Sequence, residues 1–268
     1  MKANLFSISM FNSVSLGEGK ALEQLLETFN KSEAFVPTDW SNNEGIYVEY
    51  NPEQLIKQVD EHRENISSIY LRGRKNVRFK GKLITEQSKS SFLNFDFEKN
   101  MPRKYWNTLF YLSDKIAEVV KPRFGVTHIL WPSAIPWKNH RERIHMWMNL
   151  CAQFTPVKLV NHGPVGVGLR TYFGGDIMEL FNRDFLLKTP AKVYELSWGG
   201  ICIDLVDKPW EAELGEILDS WIKVMKYLGT ARVFAIPSFD EDCKGISFRE
   251  NETWKNSKEK FIDNFINL

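Results

Sequence analysis

The chain has 268 residues, of which 43% are hydrophobic and 26% are charged, and its formal net charge is +1. These values are typical of a soluble globular protein with room for one large domain or two small ones. A net charge so close to zero creates no global field toward nucleic acid or membranes, and it excludes binding that depends on such a field.

Targeting and redox signals point to the cytoplasm. The N-terminal stretch MKANLFSISMFNSVSLGEGK lacks the unbroken apolar run of a signal peptide. No apolar stretch reaches the roughly 18–20 residues of a membrane span. The three cysteines, Cys151, Cys202 and Cys243, are far apart and form no CxxC motif, which favours reduced thiols. We therefore expect a cytoplasmic protein with no membrane partner.

The first half of the chain alternates strand and helix patterns. Alternation predicts a strand over Asn4–Phe11, and apolar spacing predicts a helix over Gly19–Asn30. Asn51 stands as N-cap and Pro52 as first helical residue of a second helix. The pattern predicts further strands and one long helix, in chain order Ile46–Tyr50, Ser67–Gly73, Val77–Ile84, Ser90–Phe97, the helix Pro102–Val120, and Gly125–Ser133.

The second half repeats this style. A short helix is predicted over Asp176–Phe181, and two strands, AKVYELSW and GICIDLV, are predicted to meet at the hairpin signal Gly199-Gly200. A helix follows Pro209, then the strand ARVFAIPS and a closing amphipathic helix, ENETWKNSKEKFIDNFINL. Because strands come in adjacent pairs before each helix, we expect an α+β fold with mostly antiparallel sheets and packed helices.

Two segments resemble each other weakly. FLNFDFEKNMPRKYW…GVTHILWPS and GICIDLVDKPWEAEL…ARVFAIPS each contain a strand with a central aspartate, Asp96 or Asp204, then a proline, a helix and a strand closing on Pro-Ser. Two interpretations stay open: one irregular α+β domain over residues 1–268, or two related α+β halves with a boundary near residues 140–165.

The stretch YELSWGGICIDLVDKPWE concentrates carboxylates, a cysteine and tryptophans. Strand alternation puts Ile201, Ile203 and Leu205 on one face, with Cys202 and Asp204 on the other. We therefore predict that Cys202 is a half-buried filler, and that Asp204 is solvated or hydrogen-bonded and not catalytic.

Most chemical motifs are absent. The glycines of GPVGVG, Gly163–Gly168, have the wrong spacing for a dinucleotide-binding loop, and no P-loop, HExxH or GxSxG motif occurs. We predict no metal and no cofactor, and we expect no enzyme, although a dispersed triad is recognised only by geometry. The glycines are expected to serve a turn or a close backbone crossing.

Two surface features are candidates for binding. The basic run Arg72–Lys82 suits either phosphate backbones or the solvent side of a hairpin, and we favour the hairpin and no nucleic-acid partner. The loops Pro132–Arg143 and Pro237–Gly245 follow two similar strands, and loops on a rigid scaffold often carry binding function. We predict that their contact residues with a protein partner are Trp137, His140, Arg141, Phe239, Asp240, Glu241 and Asp242.

The chain also resembles a family. The chain carries GVG, LRTYFGG, VYELSWGGICIDLV and KPWE, with NFDF and KPRFGVTHIL in the first half. This order is similar to that of immunity proteins of bacterial polymorphic toxin and type VI secretion systems, especially the family catalogued as immunity protein fifty-two and the related type VI immunity family. The resemblance implies a cytoplasmic α+β protein that binds and neutralises one cognate toxin by stoichiometric occlusion. The alternatives are a small-molecule enzyme with a dispersed site around Arg170, Asp204 and the glycine-rich segment, and a nucleic-acid-binding module using Arg72–Lys82.

Overall fold

A computed structural model describes residues 3–17, 19–62, 64–85, 91–153 and 155–257. Its strands are β1 (Leu5–Phe11), β2 (Asp39–Ser41), β3 (Val48–Glu49), β4 (Ser68–Gly73), β5 (Phe79–Ile84), β6 (Phe92–Glu98), β7 (Phe124–Leu130), β8 (Arg170–Phe173), β9 (Lys192–Glu195), β10 (Ile201–Asp204), β11 (Ile236–Phe239) and β12 (Ile246–Arg249).

The helices lie between these strands. They are α1 (Gly19–Asn30), α2 (Pro52–Glu61), α3 (Trp106–Val120), α4 (His140–Cys151), α5 (Pro156–His162), α6 (Gly175–Phe181), α7 (Arg183–Leu187), α8 (Leu214–Leu228) and α9 (Glu252–Ser257). Short 3-10 turns precede α3 and follow α8. No helix among the described residues is long and apolar enough to cross a membrane.

One antiparallel sheet runs through the molecule. Ten strands follow in the order β3-β2-β4-β5-β6-β1-β7-β8-β10-β9, while β11 and β12 form a separate hairpin. The strand β7 pairs with β1 on one side and β8 on the other, so it joins the two halves of the chain. Helices and an antiparallel sheet together confirm the predicted α+β class.

The two faces of the sheet are covered differently. On one face, Phe29 of α1 lies 4.7 Å from Phe95, and Trp106 of α3 lies 5.1 Å from Phe6, between ring centroids. On the opposite face, Phe181 of α6 packs against Phe173 of β8 at 5.3 Å. Aromatic contacts therefore build the core on both faces of the sheet, with α1 and α3 on one face and α6 on the other.

The two segments of the predicted repeat are alike in some structural features and differ in others. The sheet register places Lys80 of β5 opposite Asp96, and Lys192 of β9 opposite Asp204. Each central aspartate therefore has a lysine opposite it on a neighbouring strand. The helices that follow, α3 and α8, both have 15 residues. The closing strands differ, because β7 lies inside the large sheet and β11 lies outside it. A common origin of the halves stays a prediction.

Three local predictions need correction or restriction. Within the predicted strand ARVFAIPS, extended sheet pairing begins only at Ile236. The preceding Ala235 N–H instead donates to Pro164 O at 2.9 Å, outside any sheet. The end of the predicted loop Pro132–Arg143 is the first turn of α4. The closing helix appears as α9, and its predicted residues 258–268 lie outside the described part of the chain.

Candidate functional site

The two loops predicted to bind a partner lie in contact with each other. The Trp137 N–H donates a hydrogen bond to Cys243 O at 3.0 Å. The rings of Trp137 and Phe239 meet edge to face with centroids 6.1 Å apart, and the Arg143 guanidinium lies 4.4 Å above the Phe239 ring. The structure therefore joins the predicted residues of both loops into one surface, which we call the two-loop surface.

Burial divides the residues of the two-loop surface into two groups. Trp137 is only 7% exposed, so its ring packs between the loops and does not project toward a partner. His140, Arg141, Asp240, Glu241 and Asp242 are exposed. Asp219 on α8 binds the Arg141 guanidinium at 2.8 Å. The acidic run of the second loop is therefore the part of this surface most open to a partner.

A second constellation of charged residues lies inside the molecule. Arg170 of β8 and Asp204 of β10 are direct register partners, and both guanidinium–carboxylate distances are 2.7 Å. Asp204 is 0% exposed. The prediction of a hydrogen-bonded Asp204 is therefore right, but a solvated Asp204 is wrong, because α3 covers this face of the sheet.

Residues of α3 complete this network. Asp114 accepts from Arg170 at 2.8 Å and from the Tyr172 hydroxyl at 2.7 Å, while Arg170 also donates to the Phe110 carbonyl. Burial acts to lower the pKa of Arg170, but the hydrogen bonds that Arg170 donates to Asp204, together with the electrostatic effects of Tyr172, Asp204 and Cys202, outweigh burial and raise that pKa. The network ties α3 to the second half of the sheet through a charged pair with satisfied hydrogen bonds.

The residues named for a dispersed enzyme site thus do come together. Both Asp204 oxygens are occupied by Arg170, and the nearest cavity, lined by Asp114, Tyr172 and Trp198 among others, has a volume of about 120 Å³. Cys202 beside them is 2% exposed, not half-buried, and burial raises the pKa of its thiol well above the usual value. The Arg170–Asp204 pair therefore has a structural role, and neither carboxylate oxygen of Asp204 is free.

The glycine-rich segment has a packing role. Gly163 has φ 81°, a region that favours glycine, and a Cβ on Gly166 would lie 2.6 Å from the Cys151 sulfur. A Cβ on Gly168 would overlap the side chain of Val126 on β7. These contacts agree with the expected close backbone crossing.

Basic residues line a groove on the face of the sheet opposite α1. The register sets Arg72, Lys80 and Asp96 side by side on β4, β5 and β6. The groove has a volume of about 690 Å³. We call it the basic groove, and its lining comprises Leu5, Arg72, Gly73, Arg74, Arg78, Phe79, Lys80, Asp96 and Glu98.

The Arg72 guanidinium is fixed within this groove. It stacks on the Tyr47 ring at 3.4 Å, and its Nε is buried with no hydrogen-bond partner among the described residues. The carboxylate of Asp39 binds Arg74 at 2.9 Å instead. The sequence predicts these charges on the solvent side of a hairpin, but not their arrangement, because Tyr47, which precedes β3, and Asp96 of β6 lie far from Arg72 in sequence.

Comparison with known proteins shows a likeness in fold to a solved structure. The chain matches no protein-family profile and no curated protein sequence. It is similar in structure to the Pseudomonas aeruginosa T6SS protein PA0821, with a TM-score of 0.56, 13% sequence identity, and coverage of 87% of this chain and 78% of that one. At this identity the likeness shows a common fold.

Proposed function

We propose that this chain is an immunity protein that binds and neutralises a cognate secreted bacterial toxin by stoichiometric occlusion, without catalysis. The observation that carries the proposal is the fold shared with a T6SS protein over 87% of the chain. The order of motifs over most of residues 65–240, which resembles that of immunity proteins, also supports it.

The two-loop surface is the proposed contact. Its exposed carboxylates Asp240, Glu241 and Asp242 form an acidic run on a rigid base, since Trp137 and Phe239 hold the two loops together. Such a run suits a toxin with a basic substrate groove, because opposite charges steer association and fix orientation. Occlusion then requires one immunity protein for each toxin molecule.

Co-expression with the effector domain encoded by a neighbouring gene tests the proposal. We expect protection of the host cell, and calorimetry of the purified pair should give a stoichiometry near one to one. Protection at strongly substoichiometric amounts would instead indicate an enzyme that modifies the toxin. If the chain neither binds nor protects against any neighbouring effector, the proposed function is wrong.

Charge reversal of Asp240, Glu241 and Asp242 to lysine tests the contact surface. We expect association to slow by about tenfold or more at low salt and by less at high salt, because screening weakens steering. Reversal of Glu23, Glu53 and Asp60, exposed residues of α1 and α2, changes the net charge equally and is the matched control. Equal association rates for both variants would move the contact away from the two-loop surface.

A further inference from the structure

We propose that the basic groove is a second docking site, and that it takes a protein segment whose acidic side chains meet Arg72 and Arg78 and whose basic side chain meets Asp96 and Glu98. The inference rests on the proposed function, since it assigns this segment to the partner that the chain neutralises. It adds a contact with the opposite charge to that of the two-loop surface.

Preorganisation is the first argument. Stacking on Tyr47 at 3.4 Å holds the plane of the Arg72 guanidinium, and burial of its Nε leaves a donor that no described residue satisfies. A planar guanidinium fixed in this way binds a carboxylate with two parallel hydrogen bonds and loses little side-chain entropy.

Unpaired charge is the second argument. Arg78 and Lys80 are exposed and form no salt bridge within the described residues, whereas the neighbouring Arg74 is paired with Asp39. The groove therefore offers positive charge that no salt bridge among the described residues neutralises, although Lys80 lies opposite Asp96 in the sheet register. In a chain with a net charge of +1, this local excess is a property of the groove and not of the whole surface.

Mixed charge decides the class of partner. Asp96 and Glu98 line the same groove as the arginines. A continuous phosphate backbone would meet these carboxylates as like charges, which weakens nucleic-acid binding. A protein segment presents acidic and basic side chains in alternation and can satisfy both kinds of lining residue. Charge complementarity thus favours protein over nucleic acid.

Nuclear magnetic resonance of the arginine Nε–Hε groups tests the groove without the toxin. An octapeptide alternating Asp and Lys, added to millimolar concentration, is expected to shift the Arg72 and Arg78 signals. Octalysine is expected to leave them unchanged, and an eight-nucleotide single-stranded DNA to shift them less at 150 mM salt. Stronger shifts with DNA, or peptide-induced shifts confined to other arginines, would overturn the inference.

Variants then test the groove with the neighbouring effector domain. We expect Arg72→Gln with Arg78→Gln to weaken binding about thirtyfold, since loss of two charged contacts costs about 2 kcal/mol. The single variant Arg78→Glu changes only an exposed residue, so it tests the groove even if the double variant folds poorly. We expect Arg78→Glu to weaken binding about tenfold. Lys20→Glu with Lys223→Glu, at exposed helix positions, is the control and should bind within about twofold of wild type.

The outcomes separate the two proposals. If wild type protects against the effector and the groove variants protect and bind equally well, the groove inference fails and the immunity function stands. If wild type binds no neighbouring effector, the immunity function fails, and the peptide titration alone decides whether the groove binds mixed-charge segments.

Discussion

Asp204 is linked through Arg170 to α3, a helix from the first half of the chain, although Asp204 itself stands on a strand of the second half. Its pairing with Arg170 crosses from β10 to β8, and Asp114 of α3 closes the other side of the guanidinium. A buried pair of this kind contributes more to the position of elements than to net stability, but removal of one partner leaves an uncompensated charge.

Substitution Asp204→Asn is expected to destabilise the protein by about 1.5–3 kcal/mol, because Arg170 loses two buried charged hydrogen bonds while Asp114 still compensates part of its charge. Urea unfolding followed by circular dichroism measures the change. The matched control is Asp207→Asn, whose exposed carboxylate pairs with the exposed Lys192, and its unfolding midpoint should stay close to that of wild type. If the unfolding midpoint of Asp204→Asn is as high as that of the control, the Arg170–Asp204 pair does not stabilise the folded protein.

Gly81 shows how an element depends on one small residue. It lies on β5 directly opposite Phe95 of β6, and the Phe95 ring covers it. The centroids of the Phe95 and Phe29 rings lie 4.7 Å apart, so the Phe95 ring has no space to move toward α1. The glycine thus allows α1 to pack closely on the sheet.

Substitution Gly81→Ala is expected to lower the free energy of unfolding by about 1–3 kcal/mol, the range for an overpacked core. The control is Gly45→Ala at an exposed turn, where the nearest atom to a new Cβ is 3.6 Å away. Thermal unfolding of both variants measures the difference. Equal melting temperatures would imply that the Phe95 ring relocates at no cost.

Elements with local determinants were predictable from the sequence. The bounds of α1 are as predicted, and Asn51 caps α2 by accepting from the Gln54 N–H at 3.0 Å. The start of α4 carries the same kind of signal within the predicted loop, since Asn139 accepts from the Glu142 N–H three residues later.

Contacts between distant segments were not predictable in the same way. Alternation correctly separated the faces of β10, but it contains no information about which helix covers each face. The stacking of Arg72 on Tyr47 and the meeting of the two loops also depend on the strand order of the whole sheet. The sequence thus pointed to residues that meet in the structure, but it did not predict that Trp137, Cys202 and Asp204 are buried.

The pH dependence of stability belongs to the whole molecule, because it compares folded and unfolded chains. Complete burial lowers the pKa of His128 on β7 from 6.5 to about 3. The unfolded chain therefore takes up a proton below about pH 6.5, while the folded chain does not. The stability due to neutral His128 is complete above pH 6.5 and is lost progressively as the pH falls toward 3.

Between pH 7 and pH 5 this residue should cost about 2 kcal/mol of unfolding free energy. Urea titrations at both pH values measure the loss, and His128→Gln should reduce the difference between them. His140→Gln, at an exposed position on α4, is the control and should retain the wild-type difference. An unchanged pH dependence in His128→Gln would assign the effect to other groups.

The position of β7 has a consequence for synthesis on the ribosome. This strand is fully buried and hydrogen-bonds to β1 on one side and to β8 on the other. Its partner β1 is made first, but β8 begins only at Arg170, well after β7 ends at Leu130. At about 5–20 residues per second, the intervening stretch takes roughly 2–8 s to translate. During that interval a nascent chain carries an apolar strand with one unpaired edge, which is the kind of edge that recruits other chains.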